Sequence, residues 1–115
     1  MKKFRSALIG VDQGVEPLFN DFEHGGEMWT GEGPRERRVR VKFSEPFRTP
    51  PAVMVALSLW DTDASVNQRI DLKAERIGRK GFTIRFTTWG DSRIARVHAA
   101  WMAIGELEDE ELWDV

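Results

Sequence analysis

Asp61-Thr62-Asp63-Ala64-Ser65 opens like a calcium-binding loop, with an oxygen-bearing side chain at every second position. Such a loop closes on a bidentate glutamate at its twelfth position; here that residue is Leu72, and the match fails. The two histidines, His24 and His98, show no ligand spacing between them, and cysteine is absent, so neither thiolate metal sites nor disulfides are available. His98 lies between Val97 and Ala99 and reads as an interface or structural histidine. No Gly-x-Ser-x-Gly elbow and no phosphate loop appears. Nineteen carboxylates make a glycosidase pair formally available. That chemistry needs two acids at a set separation in a cleft, and a chain this small offers no obvious deep one. Catalysis is not expected.

Charge is distributed unevenly. The formal net charge is -2, but residues 106–115 hold six acids and no base, which leaves 17 bases and 13 acids in the rest. A body at that balance is too weakly basic to argue for nucleic acid. The bases Arg38, Arg40 and Lys42 share one strand face, with Arg35 and Arg37 just before them. Such a stripe is usually a solvated sheet face; the alternatives are an acidic glycan, a phosphate-bearing polymer or a partner's acids. The acidic end reads as a tail, and its Leu112 and Trp113 give it the means to dock on its own oligomer or on a protein partner.

One domain's worth of chain, 115 residues with 41% apolar and 31% charged, must position these groups. No apolar run approaches the roughly 18 residues that span a bilayer. Met1-Lys2-Lys3-Phe4-Arg5 is basic, but Ala7, Leu8 and Ile9 are too short for the apolar core of a signal peptide. Cytoplasmic synthesis is expected, with release or attachment to a particle left to another route. A small domain without staples often gains burial by oligomerising.

Alternation with period two dominates the chain. Val39, Val41 and Phe43 share one face against Arg38, Arg40 and Lys42; Ile70, Leu72 and Ala74 share another against Asp71, Lys73 and Glu75; Phe82, Ile84 and Phe86 share a third. Each segment is a half-buried strand, because successive side chains leave opposite faces of a pleated backbone. Residues 52–60 and 94–104 are apolar throughout and read as central strands, covered on both sides or buried at a subunit contact. Residues 6–11 and 18–22 read as two short strands. Gly78-Arg79-Lys80-Gly81 is a turn, and residues 25–34, with four glycines and Trp29, form the one long loop. The expected class is all-β, an antiparallel sandwich over residues 1–105 followed by the tail.

The ordered features from Val41 to Gly105 resemble the H-type lectin domain of snail agglutinins and of the discoidin C-terminus. They run Val41-Lys42-Phe43-Ser44-Glu45-Pro46-Phe47, Pro50-Pro51-Ala52-Val53, Leu57-Ser58, Asp61, Asn67-Gln68-Arg69, Gly81-Phe82, Thr88-Trp89 and Ala100-Trp101-Met102-Ala103-Ile104-Gly105. The resemblance implies a six-stranded antiparallel β-sandwich that forms trimers, sometimes stacked into hexamers. It also implies binding of glycans ending in galactose or N-acetylgalactosamine at shallow sites between protomers, without metal or cofactor. The family's sugar-binding arginine falls on Arg69 and its Thr-Trp pair on Thr88-Trp89. The histidine that follows in the snail lectins is Gly90 here, and a later tyrosine falls near Ala95. A loop acid corresponds to Glu32.

An indole stacks on the apolar C–H patch of a pyranose, and charged side chains make directional hydrogen bonds to its hydroxyls. Trp89, Arg69 and Asp91 supply those pieces. Each also has a plainer role open to it. Trp89 can be a rim residue against a neighbouring protomer; Arg69 can pair with Asp71 or Asp61; Asp91 can simply start a turn, and Arg93 shares that ambiguity. Trp29 reads as an anchor for its loop with Glu32 as the ligand contact, while Trp60 and Trp101 read as core or interface. The expected function is multivalent glycan binding; the alternative is a structural or adaptor role in a larger particle, with a weakened sugar site.

Overall fold

The computed structural model describes residues 1–5 and 7–108. Six strands follow one another: β1 (Ile9–Asn20), β2 (Arg35–Lys42), β3 (Ala52–Thr62), β4 (Ile70–Glu75), β5 (Gly81–Thr88) and β6 (Ile94–Glu106). Two four-residue helical turns, α1 (Asp21–His24) and α2 (Glu27–Thr30), occupy the β1–β2 connection. The strands form two three-stranded sheets, β1-β6-β3 and β2-β5-β4, and every pairing is antiparallel. The chain is an all-β, six-stranded antiparallel sandwich.

The period-two pattern decides what lies between the sheets. Phe82, Ile84 and Phe86 of β5 are fully buried, and Val41 and Phe43 nearly so. Each such side chain stabilises the fold by roughly 1.5–3 kcal/mol. From the opposite sheet Trp101 meets Phe82 edge-on at 5.5 Å and Phe43 at 5.9 Å, while Phe19 meets Phe86 at 5.2 Å. Trp101 is therefore core. Trp60, 61% exposed, is not.

Three expectations change. The two short front strands are one: β1 pairs with β6 continuously from Ile9 opposite Glu106 to Asn20 opposite Arg96, with a bulge between Pro17 and Phe19. Gly14 and Pro17 look like strand breakers, but a Cβ at Gly14 would lie 2.9 Å from Trp101 Nε1, and Pro17 sits on an edge strand, where proline is tolerated. Of the two apolar runs, β6 is central, but β3 is an edge strand whose outward side chains lie open. Finally, Arg35 and Arg37 do not extend the basic stripe. Strand alternation turns them inward: Arg35 is 6% exposed, and Arg37 pairs with the buried Asp21 at 3.1 Å.

The outward bases of β2 sit in a lattice of opposite charges. Arg38 lies 3.4 Å from Glu36 and 3.6 Å from Glu75, and Arg85 lies 3.0 Å from Glu36. Arg40 donates to the Arg76 carbonyl at 2.9 Å. This is a solvated face of weak surface pairs.

The outer face of β1-β6-β3 is different in kind. Cross-strand rows run Val11–Ile104–Ala52, Gln13–Met102–Met54 and Val15–Ala100–Ala56. Val11, Val15 and Met54 are 60%, 58% and 70% exposed, and the Gln13 and Val15 rows border a shallow depression of ≈ 590 Å³. At the far end Leu107 N–H donates to the Leu8 carbonyl at 3.0 Å; Leu112 and Trp113 lie outside the described residues.

Candidate functional site

The register of β4 on β5 sets Ile70 opposite Thr88, so the residues just beyond that row, Arg69 and Trp89, emerge together at one end of the sandwich. Side chains then lock the backbone there. Thr88, 1% exposed, donates its hydroxyl to the Arg69 carbonyl at 2.6 Å. Ser92, fully buried, accepts the Arg69 N–H at 2.8 Å and donates to the Trp89 carbonyl at 3.0 Å. Arg69 is thus held on both sides of its peptide backbone while its side chain projects outward.

Gly90 adopts φ +69, a left-handed conformation that favours glycine, and a Cβ there would stand 3.4 Å from Arg69 Nε. The arginine lies over the glycine, in space that a side chain would contest. Among the described residues the Arg69 guanidinium makes no hydrogen bond or ion pair. Asp71 instead pairs with Lys73 at 3.3 Å and Asp61 with Arg96 at 3.5 Å. The competing role for Arg69, neutralising either acid, is not the one it takes. Trp89 is 44% exposed on the same loop.

Glu32 reaches this end through its backbone. Gly33 N–H donates to the Gly90 carbonyl at 2.9 Å, and Arg35 fastens both loops. The Arg35 guanidinium donates to the carbonyls of Gly33 at 2.9 Å, Glu27 at 3.1 Å, Met28 at 3.3 Å and Gly90 at 3.4 Å. Five donors in a rigid fork allow one buried side chain to satisfy four carbonyls from three segments. Glu32 itself is exposed.

Asp91 and Arg93 each take a partner within the protein. Asp91 accepts the Asn67 N–H at 3.4 Å, a bond between two loops rather than within its own turn. Arg93 pairs with Asp63 at 2.9 Å, donates to the Trp29 carbonyl at 3.1 Å and lies 4.2 Å over the Trp29 ring. Trp29, also edge-on to Phe22 at 5.2 Å, is the anchor of its loop. Asp63 is held below its ordinary carboxylate value, first by the Ser65 hydroxyl, then by the Ser65 N–H, with Arg93 adding to the effect.

Arg35 and Ser92 set much of this geometry. The inward phase of Arg35 on an alternating strand was a signal that it needs buried partners; Ser92 carried none. Among the described residues no three His, Cys, Asp or Glu side chains form a group able to hold a metal ion.

The family model of the H-type lectin domain matches residues 38–104. The chain belongs to the H-type lectin domain family. The matched segment carries Arg69, Trp89, Gly90 and Asp91, while Glu32 falls before it. The lectin domain is 56% identical over 109 residues to the protein called ATP synthase subunits region ORF 7 of Fuscovulum blasticum, covering 95% of each chain. It is 37% identical over 75 residues to one of the discoidin-1 polypeptides of Dictyostelium discoideum, covering 64% of this chain and 30% of that one. The structure of recombinant discoidin II of Dictyostelium discoideum superposes with a TM-score of 0.74 at 24% identity, over 90% of this chain and 39% of that chain. At that identity the likeness is one of fold, and the chain spans well under half the length of the discoidins it matches. Fold and family are those of a carbohydrate-binding module.

Proposed function

We propose that this lectin domain binds cell-surface glycans, without altering them, at a site formed by Arg69 and Trp89. The observation that carries the reading is the state of Arg69. Its backbone is fixed by Thr88 and Ser92, its side chain rests on Gly90, and its guanidinium is left without a partner among the described residues. A guanidinium held in that way presents several donors to sugar hydroxyls without first breaking an ion pair. The half-exposed Trp89 offers an apolar ring on the same loop for the C–H face of a pyranose. Glu32, next to the backbone bond between Gly33 and Gly90, is the acceptor for the hydroxyls.

Gly90 and Ala95 stand where the snail lectins carry rings, so sugar binding is kept with fewer stacking contacts, on galactose-type or other cell-surface glycans, and the snail lectins' own preference is not carried over. Shallow sites bury little area, and the single-site dissociation constant should lie on the order of millimolar to micromolar. Strength then comes from assembly. The apolar outer face of β1-β6-β3 suits a neighbouring copy, and three copies around an axis would cover all three faces and set three sites side by side. A glycan array probed with wild-type protein and with Trp89→Ala tests the reading. Wild type should bind a set of cell-surface glycans that the variant loses, and absence of binding to any glycan by an intact oligomer counts against it.

A further inference from the structure

We propose that the end of the sandwich opposite Arg69 is a basic docking surface, and that its occupant is the chain's own acidic segment, residues 109–115. The proposal is independent of the sugar site. Lys2, Lys3 and Arg5 precede β1, Arg48 lies between β2 and β3, and Arg76, Arg79 and Lys80 lie between β4 and β5. These three stretches hold seven bases against one acid, Glu45. The fold draws them together. Phe47 N–H donates to the Arg79 carbonyl at 2.9 Å, and Arg79 Nε returns a bond to the Phe47 carbonyl at 3.0 Å. Lys2 Nζ donates to the Pro50 carbonyl at 3.2 Å. On the sheet faces the outward bases Arg38, Arg85, Lys73 and Arg96 each stand beside a carboxylate. None of the seven bases at this end pairs with an acid among the described residues, and the Arg48 and Lys80 side chains make no hydrogen bond there. Like charges gathered in this way repel, and an anionic partner relieves the repulsion.

The place where the chain leaves β6 identifies the occupant. Arg48 N–H donates to the Glu106 carbonyl at 2.7 Å, Arg5 N–H donates to the Glu106 carboxylate, and Leu107 N–H donates to the Leu8 carbonyl. The exit of β6 is thus tied to two of the three basic stretches, and Phe47 links it to the third. Residues 109–115 carry Asp109, Glu110, Glu111 and Asp114. Seven extended residues reach about 23 Å, far more than the few bonds that separate Glu106 from Arg48 and Arg79. The segment also carries Leu112 and Trp113, and an opening of ≈ 240 Å³ beside Leu107 has Gly10, Val11 and Phe47 as its other apolar lining. Asp12 and Glu45 border that opening, so it suits the apolar pair and not a further carboxylate. The acids then fall to the bases. An anionic bilayer would meet the same bases, but four carboxylates leave from among them and would oppose it.

The test is backbone amide relaxation by NMR on the 115-residue chain, as wild type and as the double variant Arg48→Glu with Lys80→Glu. Both positions are exposed, and the variant's circular dichroism should match wild type. At low salt the amides of residues 110–114 should be ordered in wild type, with order parameters above about 0.6. They should fall below that value in the double variant, and in wild type at about 1 M salt, where screening acts within about 3 Å. Arg48→Lys with Lys80→Arg keeps both charges and should keep the order. Low order parameters in wild type at low salt would overturn the proposal, and so would order that survives both charge reversal and salt. Vesicles rich in phosphatidylserine supply the second readout. A variant with Asp109, Glu110, Glu111 and Asp114 changed to their amides should bind them about tenfold more tightly than wild type, because its bases are uncovered. Equal binding by the two chains would mean that the wild-type bases already lie open, and would overturn the proposal.

Discussion

The Thr88 hydroxyl donates to the Arg69 carbonyl at 2.6 Å, so the last residue of β5 fixes the residue that leads into β4. Thr88→Val keeps the shape and removes the donor, leaving a part-buried carbonyl unsatisfied. We expect a loss of about 1–3 kcal/mol in urea denaturation together with weaker glycan binding, and Thr88→Ser should restore both. Unchanged binding in a destabilised Thr88→Val would separate the fold from the site.

Arg35 ties four carbonyls from three segments around one guanidinium. Arg35→Ala should destabilise the domain by about 2–4 kcal/mol, because each carbonyl it leaves must find water or remain unpaired. Arg35→Lys should recover only part of this, since a point charge cannot follow the fork. Chemical denaturation of both variants checks the order.

Acid should release the Asp63 brace. Ser65 and Arg93 hold its carboxyl below the ordinary value of 3.8. A depressed group contributes stability that is fully present above its unfolded value and fades as pH falls through the folded one. The difference in Tm between wild type and Asp63→Asn should therefore be constant from neutral pH down to about 5 and shrink below 3.8. A gap that widens on acidification would contradict the assignment.

Met54 and Met102 face each other across β3 and β6 on the open apolar face, 70% and 39% exposed. Glutamate at both positions meets solvent in a lone chain but a buried like charge in an assembly. Sedimentation should show the double variant monomeric with an unaltered circular dichroism spectrum, and the wild type trimeric. A wild-type monomer at micromolar concentration would remove the proposed assembly.

Strand faces were readable because alternation is a local property. Val39 and Val41, Ile70 and Leu72, and Phe82 and Ile84 all pack where their phase places them. The length of β1 was not readable, since Gly14 looks like a break until Trp101 is known to fill the space beside it. The same holds for the site. That Arg69 and Trp89 share one end of the sandwich was legible through the order of features along the chain. Ser92 and the partners of Arg35 were not, because hydrogen bonds from residue 92 to residue 69 and from residue 35 to residue 90 depend on the closed fold. The inward turn of Arg37 onto Asp21 was implicit in the strand's period but hidden by the appearance of a basic run.

The most direct measurement is a calorimetric titration of Arg69→Ala with a glycan that the wild type binds. Its guanidinium has no partner among the described residues, so the substitution should leave stability within about 0.5 kcal/mol of wild type while abolishing measurable binding. A variant that folds, assembles and binds with the wild-type dissociation constant would contradict the account.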